Sequence, residues 1–147
     1  LGLPFMSLGI KYEEPTNQIL FGSREKGNSN YFKGKGWHAS DEKLTWSDEK
    51  AELLLPLDPA KDAVLDFLFA YYPYGNDSVN ININGHDAGY WNTEIIGDKD
   101  RECTKRLIIP NHFLSKDGMN RLVLTVLAPI VTETRTLGLP VIRISIK

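Results

Sequence analysis

Cysteine is nearly missing: Cys103 stands alone in 147 residues. A single thiol excludes an internal disulfide and any multi-cysteine zinc site. Its neighbours Arg101, Glu102, Lys105 and Arg106 include no histidine, so it reads as a plain strand-edge cysteine. No apolar run reaches the roughly 18 residues that a spanning helix needs. Positive charge is not in excess either, since 17 Lys and Arg face 19 Asp and Glu for a formal net charge of −2. That balance argues against a nucleic-acid footprint and against a polybasic membrane-surface module. His38, His86 and His112 are scattered, with none of the spacings of a metal site. No glycine-rich loop meets a helix start, and no Gly-x-Ser-x-Gly elbow occurs.

What is present is an ordinary globular composition of a length that fits one domain with one core. Residues 1–17, interrupted by Pro4, Gly9 and Pro15, read as a linker or edge segment, and 18–147 as the domain. The chain opens on Leu1 without a signal-peptide pattern, and is expected to be an excerpt of a longer protein.

Strands are legible by alternation. Residues 18–21 form a short one, and Tyr31-Phe32 is expected to open another. Residues 50–57 alternate partly and end at Pro56. Residues 64–72 are the strongest apolar run, and their Phe, Tyr and Val content favours a central strand. Val79-Asn80-Ile81-Asn82-Ile83-Asn84 alternates almost perfectly, with the apolar residues expected inward and the three asparagines outward. Asn84-Gly85 supplies the two positive-φ positions of a tight hairpin turn, with residues 88–91 returning. Residues 104–109, 120–127 and 139–146 complete the set, with a single helical turn or loop at 110–114. Residues 120–127 are apolar on both faces and belong in the middle of a sheet. The expected fold is all-β: a single antiparallel β-sandwich, jelly-roll-like.

Aromatic residues punctuate polar surroundings. Trp37 and Trp46 flank Asp41 in a turn-rich segment, which makes it either a structural corner or the rim of a binding face. As a corner, Asp41 would accept an indole N–H or cap a turn. Trp91 and Tyr90, with Asn80, Asn82, Asn84, Asn92 and Tyr74, form a second group. Flat rings beside amides suit a polyhydroxylated ligand, which offers C–H faces and hydroxyls together. Core or edge packing is the competing reading, for Trp91 as for Tyr71 and one of Tyr72 or Tyr74. Carboxylates at Asp41, Glu42, Asp48, Asp87, Glu94, Asp98 and Asp100 show no spacing that selects an acid–base pair, so the chain reads as non-catalytic. No metal or cofactor is expected. A structural calcium at Asn76-Asp77 or Asp98/Asp100 competes with plain turn chemistry.

Gly36-Trp37, Asp41, Thr45-Trp46-Ser47-Asp48 and the strand Ala51-Glu52-Leu53-Leu54-Leu55-Pro56-Leu57 resemble a known family. It comprises C-terminal β-sandwich domains behind bacterial membrane-bound glycan-modifying transferases, such as phosphoglycerol transferases and integral-membrane sugar transferases. The family pattern continues with an Asn-Gly turn, an Ile-Pro step and Arg-x-Leu-Gly-Leu. These fall here on Asn84-Gly85, Ile109-Pro110 and Arg135-Thr136-Leu137-Gly138-Leu139. The likeness runs over roughly residues 20–147, on short and mainly structural motifs. Lys43 and Leu44 stand where an aromatic often precedes the second Trp, and the loop at 128–134 is shorter than usual. The resemblance implies a carbohydrate-binding-module-like domain outside the cytoplasm, periplasmic or at the cell surface. It also implies attachment to a membrane enzyme whose catalysis lies elsewhere; with the aromatic and amide groups, a glycan held or oriented as an acceptor is the expected partner. The alternative is an interaction domain that packs on the parent enzyme or mediates oligomerisation.

Overall fold

Alternating burial organises the chain into strands. A computed structural model describes residues 17–23, 27–70, 76–94 and 102–147, with the side chains of 76, 77 and 92–94 outside the description. The first sheet contains β1 (Gln18–Leu20), β11 (Pro140–Ile146), β4 (Ala63–Phe69) and β7 (Cys103–Ile109) in that order, with β2 (Thr45–Trp46) also paired to β11. The second runs β3 (Lys50–Pro56), β8 (Met119–Val126), β5 (Asn76–Ile83) and β6 (His86–Glu94). A small ribbon joins β9 (Ile130–Val131), inside the segment 128–134 read from sequence as loop, to β10 (Thr136–Leu137). The named pairings are antiparallel. The fold is the expected antiparallel, jelly-roll-like β-sandwich. β8 and β4 lie centrally, as their apolar content requires.

The inner faces meet in one core. Leu53, Leu55, Ile81, Leu122 and Leu124 come from the second sheet, and Leu65, Phe67, Ile109 and Ile144 from the first. Each lies at most 2 % exposed, because alternate residues of both sheets point into the same dry layer. The expected strand at Tyr31-Phe32 is instead the end of a 3₁₀ turn (Ser29–Tyr31). The Ser29 carbonyl accepts the N–H groups of both Phe32 and Lys33, which tightens the backbone.

The segment after that turn covers the open edge of β3. Leu54 donates its N–H to the Phe32 carbonyl, Gly34 donates to Glu52, and Glu52 donates to Lys35. An unpaired sheet edge is thereby occupied. Gly36 (φ 92°) closes the passage, and a Cβ there would run into the Lys50 carbonyl.

The hairpin between β5 and β6 carries the main feature for function. Asn84 (φ 51°) and Gly85 (φ 88°) form the expected two-residue turn. One extra residue then enters β6: Ile83 faces His86 and Asn82 faces Asp87, but Ile81 faces Gly89. This bulge at Ala88-Gly89, with Gly89 at φ 115°, shifts all later pairs by one. Asn80 therefore opposes Tyr90, and Val79 opposes Trp91. Directly opposed residues share a face, so Tyr90 points outward with Asn80 and Trp91 points inward with Val79.

Candidate functional site

The outer face of the second sheet holds a polar groove of about 460 Å³, lined by Lys50, Asn80, Asn82, Asp87, Arg121, Val123 and Thr125. Its order follows from register. One row crosses all four strands as Lys50, Thr125, Asn80 and Tyr90. The next row reads Glu52, Val123, Asn82 and Asp87. Val123 is only 6 % exposed although it faces outward, so long polar neighbours wall it in and leave an apolar floor.

The two rows differ in how their polar atoms are used. In the second, Arg121 reaches across to Glu52 in an ion pair. The Glu52 carboxyl is held below its usual range, first by that hydrogen bond and then by the Lys35 N–H and nearby charge, against an opposing desolvation. Asn82 Oδ1 accepts the Gly85 N–H at 2.9 Å, and Asp87 Oδ1 accepts the Gly89 N–H at 2.9 Å. Those bonds stiffen the hairpin tip and the bulge. In the first row, Lys50, Thr125, Asn80 and Tyr90 make no side-chain hydrogen bond or ion pair among the described residues. Tyr90 is 67 % exposed and presents a flat ring beside Asn80. Together they offer an ammonium, a hydroxyl, an amide and an aromatic face above an apolar floor. That set complements a ligand carrying hydroxyls around a C–H surface.

Several candidate residues lie elsewhere. Trp91 is a core residue, 7 % exposed, and not a binding surface. Phe67 and Phe69 meet it edge-on at centroid distances of 4.8 and 5.8 Å, and its Nε1–H points to the Arg106 carbonyl at 3.4 Å. The bulge is the physical reason, since it turned Trp91 inward. Asn84 is likewise not part of an exposed asparagine ladder. Its Nδ2 donates to the Phe113 carbonyl (2.9 Å) and to Asn120 Oδ1 (2.8 Å), and its Oδ1 accepts the Arg121 N–H (2.9 Å). Asn120, 1 % exposed, also accepts the Ser115 N–H and donates to the Leu55 and Gly118 carbonyls, so this buried amide is fully used. Tyr74, Tyr71 and Tyr72 lie outside the described residues, as does the side chain of Asn92.

The tryptophan segment is built as a corner. Trp37 donates its Nε1–H to the Glu52 carbonyl at 2.8 Å and packs on Phe21 at 5.2 Å. Asp41 Oδ1 accepts the N–H groups of Lys43 (2.9 Å) and Leu44 (2.8 Å), capping the turn instead of meeting an indole. Trp46 is half-buried on β2 opposite Pro140, and its carbonyl accepts the His38 N–H. The His38 ring Nε2 donates to the Thr136 carbonyl at 2.6 Å, tying the corner to β10.

Three of the carboxylates weighed for catalysis serve turns: Asp48 Oδ1 accepts the Glu49 N–H, beside the roles of Asp41 and Asp87 above, while the side chain of Glu94 lies outside the description. Among the described residues no three His, Cys, Asp or Glu gather to hold a metal. The calcium candidates Asp98 and Asp100, and the side chains of Asn76 and Asp77, lie outside the description. Lys50, Thr125 and Val123 were not foreseen as site residues. Their strands were read correctly, but only cross-strand register brings them beside Asn80.

No protein-family model and no curated protein sequence matches the chain. Solved structures do match in fold. A family 35 carbohydrate binding module from an environmental isolate superposes with a TM-score of 0.52 at 13% identity, over 88% of this chain and 81% of that one. An exo-beta-1,3-galactanase from Phanerochaete chrysosporium, determined with beta-1,3-galactotriose, gives 0.50 at 12% identity; 89% of this chain aligns with 27% of the enzyme. A family GH115 4-O-methyl-alpha-glucuronidase with specificity for decorated arabinogalactans gives 0.51 at 9% identity, over 99% of this chain and 19% of the enzyme. At these identities the likeness is one of fold.

Proposed function

We propose that the chain is a non-catalytic carbohydrate-binding domain, and that the outer groove of the second sheet holds the glycan. The observation that carries this reading is the row Lys50, Thr125, Asn80 and Tyr90, whose side-chain polar atoms have no partner among the described residues while Glu52, Asn82 and Asp87 beside them are hydrogen-bonded. Unpaired polar side chains around an apolar floor and beside an exposed ring are what a sugar needs. The fold shared with a carbohydrate binding module adds support. The resemblance at Gly36-Trp37, Trp46 and Arg135 to Leu139 supports an accessory role in a membrane-bound glycan-modifying transferase, outside the cytoplasm, where the domain would orient an acceptor.

A packing role has its own observation. Leu54 (41 % exposed) and Met119 (52 %) are diagonal neighbours at the opposite end of the same face. An apolar patch of this kind suits contact with the parent enzyme.

A glycan array followed by calorimetry separates the two. Tyr90→Ala is expected to weaken glycan binding by about tenfold or more, with an unchanged melting temperature. Wild-type protein that binds no envelope glycan would leave the packing role.

A further inference from the structure

We infer that the groove takes an acidic oligosaccharide laid across the strands, with its anionic group at Lys50 and a neutral ring on Tyr90. This deepens the glycan-binding reading and rests on it. Direction comes from the register. The unpaired row crosses β3, β8, β5 and β6 at right angles to the strands. Three inter-strand spacings amount to about 14 Å, a span that about two to three sugar rings cover.

Charge gives the row its polarity. Two cations line the groove, Lys50 and Arg121. Arg121 is committed to Glu52, whereas Lys50 is exposed and has no partner among the described residues. The acid that lines the groove, Asp87, lies three strands away on β6. The Lys50 end therefore presents a free ammonium beside a Glu52 carboxylate already paired with Arg121, and the β6 end presents the Asp87 carboxylate, with no cationic partner among the described residues, beside an exposed phenol ring. A carboxylate or phosphate ester on the sugar fits the Lys50 end, where a charge-assisted hydrogen bond forms. The same group at the β6 end would face Asp87. A neutral ring fits there, with its C–H face on Tyr90 and its hydroxyls toward Asn80.

The test uses the full chain against neutral oligosaccharides of increasing length, each paired with a counterpart carrying one carboxylate or phosphate ester. The acidic member of a pair is expected to bind about five- to tenfold tighter at low salt. The gap should narrow as ionic strength rises. Affinity should grow with length to about three rings and then level off. Lys50→Gln should bring the two members of each pair level, and Lys50→Glu should invert their order. Lys50 is exposed, so both variants are expected to fold, which a thermal melt verifies. Equal binding of the pairs by wild type, or a preference that survives Lys50→Gln, overturns this inference and leaves glycan binding standing. Binding of neither member, at any length, removes the glycan reading itself and this inference with it.

Discussion

Trp91 and Tyr90 are adjacent in sequence and opposite in role. The tryptophan is wedged between Phe67 and Phe69, while the tyrosine is 67 % exposed. Truncating Trp91 empties a large volume in the core where the two sheets meet. Trp91→Ala is expected to cost about 3–5 kcal/mol in chemical denaturation, and Trp91→Phe clearly less. A Trp91→Ala protein of wild-type stability would contradict the placement. Asn84 is comparably exacting. It combines a positive φ with three hydrogen bonds, to Phe113, Asn120 and Arg121. Asn84→Gly keeps the backbone conformation but loses those bonds. A loss of about 2–3 kcal/mol is expected from urea midpoints, and a neutral outcome would show that the amide contributes nothing.

At the level of elements, the bulge in β6 decides which residues reach solvent. Without it, the Asn84-Gly85 turn would set Ile81 against Ala88 and Val79 against Tyr90, which would send the tyrosine inward and the tryptophan out. One inserted residue reverses this. The strands themselves were legible: alternation located 50–57, 79–84, 120–127 and 139–146, and Asn-Gly located the turn. The assignment of Trp91 to a binding face failed because period-two patterning does not register one extra residue. The only local sign was Ala88-Gly89, and a glycine in a strand pattern often marks a bulge. Lys50 and Thr125 escaped notice for a related reason, since neighbours across β3, β8 and β5 are far apart in sequence. Gly89→Ala tests the bulge. No atom lies within 4 Å of the added Cβ, so the cost should come from φ 115° alone. About 1–3 kcal/mol is expected, and a neutral result would argue that the bulge relaxes without penalty.

Across the whole molecule, the two outer faces are built differently. The second sheet leaves the row Lys50, Thr125, Asn80 and Tyr90 open, whereas the first gathers three charged side chains into one cluster. On that first sheet, Arg106 forks onto Asp66 through Nε (2.7 Å) and Nη2 (3.0 Å), and Lys147 adds a third contact at 3.0 Å. The Asp66 carboxyl lies far below its ordinary range, chiefly through the Arg106 hydrogen bond and then that of Lys147. A folded-state pKa below the unfolded one stabilises the fold above the ordinary carboxylate range. That contribution disappears as pH falls toward the folded value. Glu52, lowered by Arg121, acts in the same sense. Asp66→Asn is expected to flatten the fall in stability below about pH 4, read as urea midpoints against pH. An unaltered acid limb would mean the cluster does not couple to folding.

The central claim is that the outer groove of the second sheet is where this protein meets a glycan. Backbone amide shifts, recorded by NMR while the chain is titrated with the tightest oligosaccharide from the array, test it most directly. The account requires the largest shifts at Asn80, Asn82, Tyr90, Val123 and Thr125, and their loss in Tyr90→Ala. Shifts centred instead on the Trp37, Asp41 and Trp46 corner, with the groove silent, would contradict it.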